Sequence, residues 1–350
     1  MRSGGAERVM ANLANYWAEK GHEVSLIVFT DEKEKPFYTL NQNIKLFSLD
    51  RLNTHITNIM GCIFDIRKTL KKIKPDVVLS FLESVNMVSI LAHLGLSIPL
   101  IISERTDPKY HRSAKLYKWG RLNLYPLASK LIVQTKSVYD FFPKKFQKFM
   151  DIIPNAAKPM PVLKKEQRTK IETIITVGRL TAEKNHKTLI EAFKKYVQHN
   201  PIAKLIIYGE GKERSSLQNL IDQLALSQKV TLFGTTEKVF QALREADLFV
   251  FPSLYEGFPN ALCEAMSVGL PVIASKVSGN QDVLEDGQNG LMFDPLNAEA
   301  LFQKMKIAED QNIRHALSSK AREITQKYSE EKIYPLWDKM IEDVVTKRVR

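Results

Sequence analysis

Residues 173–208 read TIITVGRLTAEKNHKTLIEAFKKYVQHNPIAKLIIY. Thr173–Val177 and Lys204–Tyr208 are short apolar runs suited to buried strands. Between them Leu189, Ala192, Phe193, Tyr196 and Val197 recur at helical spacing. A strand, a covering helix and a second strand imply a parallel pair, because parallel strands need such a crossover. The pattern continues outward. Val230–Phe233, Leu248–Phe251 and Val272–Ala274 extend it downstream. Val24–Phe29, Val77–Phe81, Leu100–Ser103 and Lys130–Gln134 repeat it upstream. The expected fold is therefore α/β, with two doubly wound parallel-sheet domains.

The break between domains is expected from Pro154 to Glu172, where Pro154, Pro159 and Pro161 sit among polar residues. This gives a first domain over 1–155, a second over 156–327 and a C-terminal helix over 328–350. That helix carries Ile333, Leu336, Trp337, Met340, Ile341 and Val344 on one face, and we expect it to pack on the first domain. Ser3-Gly4-Gly5-Ala6 reads as a strand-to-helix turn with almost no strand before it. Either the chain starts about ten residues upstream, which we prefer, or the first domain is stable without that strand.

Composition bounds the rest. The 350 residues are 44% hydrophobic and 26% charged, ordinary values for a globular chain. Cys62 and Cys263 are too few and too far apart for a disulfide framework or a zinc site, and both read as core fillers. Glu7 and Arg8 interrupt the start before an apolar run forms, so no signal peptide is expected. The charge-free run Ser84–Ser103 reads as helix, turn and strand, not as a membrane span. The net charge is +12, with 17 basic and 6 acidic side chains between residues 51 and 150. Such an excess points to an anionic partner, against the plainer reading of a solvated basic surface.

Within it, Ile56, Ile59, Ile63, Ile66, Leu70 and Ile73 form a helical stripe that Met60 and Phe64 widen. The stripe itself reads as core-facing. Arg67, Lys68, Lys71, Lys72 and Lys74 crowd its end. Lys109, Arg112, Lys115, Lys118 and Arg121, interleaved with Tyr110, Tyr117 and Trp119, extend the basic surface. Together they suggest an anionic membrane as partner.

The densest chemical signal is Tyr255-Glu256-Gly257-Phe258-Pro259-Asn260-Ala261-Leu262-Cys263-Glu264. It follows a strand and runs into a helix, the place where open α/β sheets bind ligands. Backbone N–H groups there would face a diphosphate, and Gly257 would let it approach. Glu256 in the loop and Glu264 in the helix could reach different parts of one long ligand. Arg179 and Lys184 close another strand and could neutralise a pyrophosphate. Alone, that second pattern is also one of plain surface charge. His186 reads as a capping or packing residue.

These two stretches, with Lys20-Gly21-His22-Glu23-Val24, Ile153-Pro154-Asn155 and Tyr208-Gly209-Glu210-Gly211, resemble the retaining glycosyltransferases of family 4, of GT-B fold. Ser80–Asn86 and Ile102-Ser103-Glu104-Arg105 are similar to bacterial enzymes that extend lipid-linked oligosaccharides with N-acetylhexosamine. The resemblance implies two Rossmann-like domains facing across a cleft and a UDP-sugar donor. The implied acceptor is a lipid-pyrophosphate-linked or polysaccharide glycan.

It places Arg179 and Lys184 on the donor diphosphate, Glu256 on sugar hydroxyls with the N–H groups of Phe258 and Asn260, and Glu264 on the ribose. Gly209, Gly211 and the Phe233-Gly234 turn would line the nucleotide pocket with Gly257 and Ala261, and Gly5 would close over the phosphates. Glu104 and Arg105 stand where the family often has an acceptor-side histidine, so that role is unassigned. No Asp-any-Asp motif stands beside a strand, and the expected reaction uses neither metal nor other cofactor. The expected protein is a monomer in the cytoplasm, peripheral to the inner membrane face. Its rivals are a nucleic-acid binder, for which no motif speaks, and a GT-B relative that binds a nucleotide sugar as an epimerase or non-catalytic binder.

Overall fold

The computed structural model describes residues 4–29, 35–49, 56–109, 115–157 and 169–349. The chain divides into two compact units, one of residues 1–155 with 333–350, the other of residues 156–332. Most of the segment expected as a linker, 158–168, lies outside the described residues.

The first unit runs α1 (Gly5–Glu19), β1 (Ser25–Val28), β2 (Lys45–Ser48), α2 (Ile56–Ile73), β3 (Val78–Phe81), α3 (Glu83–His93), β4 (Leu100–Ser103), α4 (Lys115–Asn123), β5 (Lys130–Val133), α5 (Lys136–Phe141) and β6 (Met150–Ile152). All strand pairs are parallel, but they form two sheets, β1-β2 and β3-β4-β5-β6. In the usual doubly wound order the strand preceding α1 would lie between β1 and β3. Among the described residues none does. Ile90, Leu131, Phe142 and Phe146 fill one face of the four-stranded sheet. Ile66 and Leu70 of α2 pack against Ala92 of α3.

The second unit is a single parallel sheet. Its elements are β7 (Thr173–Val177), α6 (His186–His199), β8 (Lys204–Tyr208), α7 (Arg214–Gln223), β9 (Val230–Gly234), α8 (Val239–Glu245), β10 (Leu248–Phe251), α9 (Asn260–Ser267), β11 (Val272–Ser275), α10 (Ser278–Gln281), β12 (Leu291–Phe293), α11 (Ala298–Ile307), α12 (Gln311–Ala321) and α13 (Ile324–Lys327). The strand order is β12-β11-β10-β7-β8-β9, the doubly wound order that reverses beside the first strand. Phe193 and Tyr196 of α6 and Leu301 and Met305 of α11 cover it.

A last helix, α14 (Glu330–Val349), carries the chain back into the first unit. There Trp337, 1% exposed, lies against Phe81. Asp338 on the same helix accepts from Tyr16 Oη at 2.7 Å, Trp17 Nε1 at 2.9 Å and Lys20 Nζ at 2.7 Å, which ties α1 to α14. Leu336, expected on the buried face, is 43% exposed. The face is instead Ile333, Tyr334, Trp337, Met340 and Val344.

Two further expectations change. Met60 and Phe64 do not widen the core stripe of α2 but stand 69% and 67% exposed, because the helix turns its Cys62, Ile63, Ile66 and Leu70 side inward. Arg121 is not surface charge; it is buried between two carboxylates. Tyr110 and Arg112, and the side chains of Ile56, Lys115 and Tyr117, lie outside the described residues. No helix among the described residues is long and apolar enough to cross a membrane.

Candidate active site

The loop after β7 is built by close backbone contact. Gly178 N–H donates to Tyr208 O at 2.9 Å and Leu180 N–H to Glu210 O at 3.0 Å, so the loops after β7 and β8 lie edge to edge. A Cβ at Gly209 would stand 1.9 Å from Gly178 O, and one at Gly211 2.3 Å from Leu180 O. Gly209 also has φ +145°. Both positions therefore require glycine. Phe233 of β9 is 55% exposed and leans on Tyr208, with ring centroids 4.7 Å apart.

Asn185 takes a left-handed turn, φ 52°, at the start of α6 and donates to Pro252 O and Pro295 O. This ties the β7 loop to the loops after β10 and β12. The Leu254 N–H adds a bond to Glu183 O. His186 is buried, with Nε2 donating to Arg179 O at 3.1 Å. Burial pushes its pKa down to about 4, so the ring is neutral at pH 7 and acts as a packing residue.

These ties bring Lys184 and Glu256 together. Lys184 Nζ is 2.6 Å from Glu256 Oε1, and both side chains are largely shielded, 17% and 10% exposed. The ammonium also lies 5.4 Å from the Phe251 ring centroid. Arg179 does not join them. It is 69% exposed and pairs with Glu183 at 3.2 Å. Burial alone would raise the Glu183 pKa, but hydrogen bonds and the Arg179 and Lys184 charges outweigh it and hold it below the usual value.

Beyond Glu256, Phe258 is buried edge-on against Tyr328, so only its backbone is available to a ligand. The Asn260 N–H, expected to face the sugar, donates instead to Phe258 O at 3.0 Å, because the chain tightens there before α9. Side chains cap α11 and α12 through Asn297 and Asp310, whereas none caps α9, whose first turn holds Asn260, Ala261 and Leu262. Uncapped N–H groups and the helix dipole favour an anion there. Glu264 sits half-buried on the same helix, after Gly257 and Phe258. One contributor was missed from the sequence. A Cβ at Gly279 would stand 2.4 Å from Glu256 O, so the Glu256 loop rests on a glycine of α10. Its signal was a glycine following strand β11, the same pattern that drew attention to Gly257.

In the first unit, Gly5 opens α1 and is exposed. Glu104, 1% exposed, accepts from Arg121 Nε and Tyr125 Oη at 2.9 Å and from Thr106 Oγ1 at 2.8 Å. Three donors thus hold this carboxylate inside the first unit. Arg121 also reaches Glu83 at 2.8 Å. Burial, opposed by Arg121 and aided by Glu104, raises the Glu83 pKa to about 7. Arg105 turns away from this cluster. Among the described residues no group of three or more His, Cys, Asp or Glu is placed to hold a metal ion.

Comparison with known proteins matches the pattern of Glycosyltransferase Family 4 to residues 3–159 and that of Glycosyl transferases group 1 to residues 163–324. A Campylobacter jejuni protein is 30% identical over 98% of this chain and 96% of its own. It is named a "GalNAc-alpha-(1->4)-GalNAc-alpha-(1->3)-diNAcBac-PP-undecaprenol alpha-1,4-N-acetyl-D-galactosaminyltransferase". Among solved structures, sucrose-phosphate synthase from Thermosynechococcus elongatus superposes with a TM-score of 0.86 at 18% identity, covering 98% of this chain and 94% of that one. HepE of Anabaena, solved with UDP and glucose, gives 0.79 at 17% identity, covering 98% and 97%. These likenesses show the fold, GT-B.

Proposed function

Because the chain belongs to the family 4, group 1 glycosyltransferases, we propose that it moves a hexose or N-acetylhexosamine from a UDP-sugar to a glycan on a lipid diphosphate, with retention. The observation that carries the donor side is the shielded Lys184–Glu256 pair, set beside the two obligatory glycines of the β8 loop. A donor diphosphate competes with Glu256 for the Lys184 ammonium and draws Arg179 from its exposed pair with Glu183. The freed Glu256 carboxylate then accepts sugar hydroxyls.

As the anomeric C–O bond to the diphosphate breaks, charge grows on the leaving oxygens. Lys184, Arg179 and the first turn of α9 stabilise it as fixed positive groups. The acceptor oxygen forms the new bond from the same face, and its proton passes to the departing phosphate. No protein nucleophile is assigned. With the cations doing this work, the reaction needs no metal, and transfer should survive EDTA unchanged. Gly209, Gly211 and Phe233 border the nucleotide, and Glu264 holds the ribose.

The acceptor class follows the C. jejuni relative, whose name states a PP-undecaprenol acceptor. The outward face of α2 supports it. Met60 and Phe64 stand exposed on its first half, and Lys68, Lys71 and Lys72 on its second. An apolar pair followed by three ammonium groups suits the surface of an anionic bilayer. The enzyme is proposed to act there as a peripheral monomer on the cytoplasmic face.

The test supplies UDP-GalNAc and UDP-GlcNAc to the purified protein with a bacterial lipid-linked oligosaccharide extract, and reads added N-acetylhexosamine by mass spectrometry. Addition to the lipid fraction is expected. Glu256→Gln and Lys184→Ala should each lower it at least about tenfold, roughly 1.4 kcal/mol of transition-state stabilisation. Wild-type rates in either variant would overturn the site. UDP binding without any transfer would return the chain to a nucleotide-sugar binder.

A further inference from the structure

Arg105 lies two residues past β4, at the carboxyl edge of the first unit's sheet, the edge at which parallel sheets receive ligands. It is 9% exposed. Its guanidinium stacks 3.6 Å from the Phe81 ring centroid and lies 5.6 Å from that of Trp337. Among the described residues one polar contact holds it, from Nη1 to Asn155 Oδ1 at 2.6 Å. Nε and Nη2 are buried and have no hydrogen-bond partner among the described residues. The neighbouring carboxylate, Glu104, faces Arg121 instead. Burial lowers the Arg105 pKa to about 9 and still leaves the group a cation at pH 7.

An uncompensated buried cation is costly, and a stacked apolar side chain would serve packing better. The two bare nitrogens are also the ones that matter. Nε–H and the adjacent Nη2–H form the planar fork that grips two oxygens of a carboxylate or phosphate. The sheet register sets a second donor beside it. Ser103 pairs with Ile132 at the end of the ladder, and the same register carried two residues on, just past both strands, sets Gln134 opposite Arg105. Gln134 is buried too, and its Nε2 has no partner among the described residues.

We propose that Arg105, with Gln134 beside it, is the receptor for an anionic oxygen group of the acceptor, a phosphate or a carboxylate. The anion takes the Nε–Nη2 fork and adds the Gln134 amide. Asn155 contributes a neutral oxygen that the anion outcompetes for Nη1. This rests on the reading of the chain as a transferase, and it specifies the acceptor's charge. A phosphate would come from the lipid diphosphate, a carboxylate from an acidic sugar.

The test is calorimetric titration of the full chain, saturated with UDP to fill the donor site, at physiological salt. The probes are inorganic pyrophosphate, glucuronate and, as neutral control, N-acetylglucosamine. Saturable binding of at least one anion is expected, and Arg105→Met should weaken it at least tenfold while its melting temperature stays level or rises. Pyrophosphate alone would name the lipid diphosphate; glucuronate alone would name an acidic sugar. Should Arg105→Met fail to fold, Gln134→Leu carries the same test with at least a threefold loss. No saturable anion binding, or equal binding by wild type and variant, would overturn the inference. Because the titration needs no turnover, transfer without anion binding defeats this inference alone. Anion binding without transfer defeats the proposed function alone.

Discussion

A glycine of a short helix fixes the carboxylate that the proposed reaction depends on. Gly279 lies under the Glu256 carbonyl with 2.4 Å available for a Cβ, and that neighbour is backbone, which cannot swing aside. Gly279→Ala should therefore lift the Glu256 loop, costing about 1–3 kcal/mol of stability and at least tenfold in transfer. Thermal melting and the transfer assay check the two halves; a variant with wild-type values in both would break the link. The sequence showed Lys184 and Glu256 as separate candidates, through charge and position after strands. Their contact joins residues 72 positions apart and is a product of the sheet order. The fates of Glu104 and Arg121 were hidden for the same reason. Charge suggests solvent until the fold supplies partners, and here it buried both.

Among whole elements, strands marked by an apolar run were readable, including β1, β3 and β9 at sheet edges, and those without one were not. β4, β7, β8 and β10 coincide with their expected bounds, since buried parallel strands are continuous apolar runs. β2, β6 and β12 went unseen. Each is short, lies at an edge of its sheet and has no long apolar run to mark it. Helix α2 was visible by its period, but the roles of its faces were not. With Met60 and Phe64 outside, neutralising Lys68, Lys71 and Lys72 to Gln should weaken binding to anionic vesicles about a hundredfold at low salt. This takes about 1 kcal/mol per lysine near the surface. Unchanged vesicle flotation would leave that face merely solvated. The α1–α14 clasp is a separate matter of stability. Asp338→Ala strands three donors at once and should cost about 2 kcal/mol, read as a fall in the denaturant midpoint.

Across the whole molecule, the two units carry buried titrating groups of opposite sense. In the second unit, the His186 pKa is depressed to about 4 in the folded chain. Its unfolded form binds the extra proton between about pH 4 and its usual value near 6.5, so its contribution to stability grows as pH rises through that window. In the first unit, the Glu83 pKa is raised to about 7. There the folded form holds the extra proton, and stability falls as pH rises from about 4.5 to 7. Between pH 4.5 and 6.5 the two contributions oppose each other. Substitution separates them. His186→Asn should melt relatively better, against wild type, as pH falls below 6. Glu83→Gln should gain on wild type as pH rises toward 7, because its amide cannot ionise beside the Glu104 carboxylate. Calorimetric melting of both variants across this range gives difference curves of opposite slope, and parallel slopes would contradict the assignment.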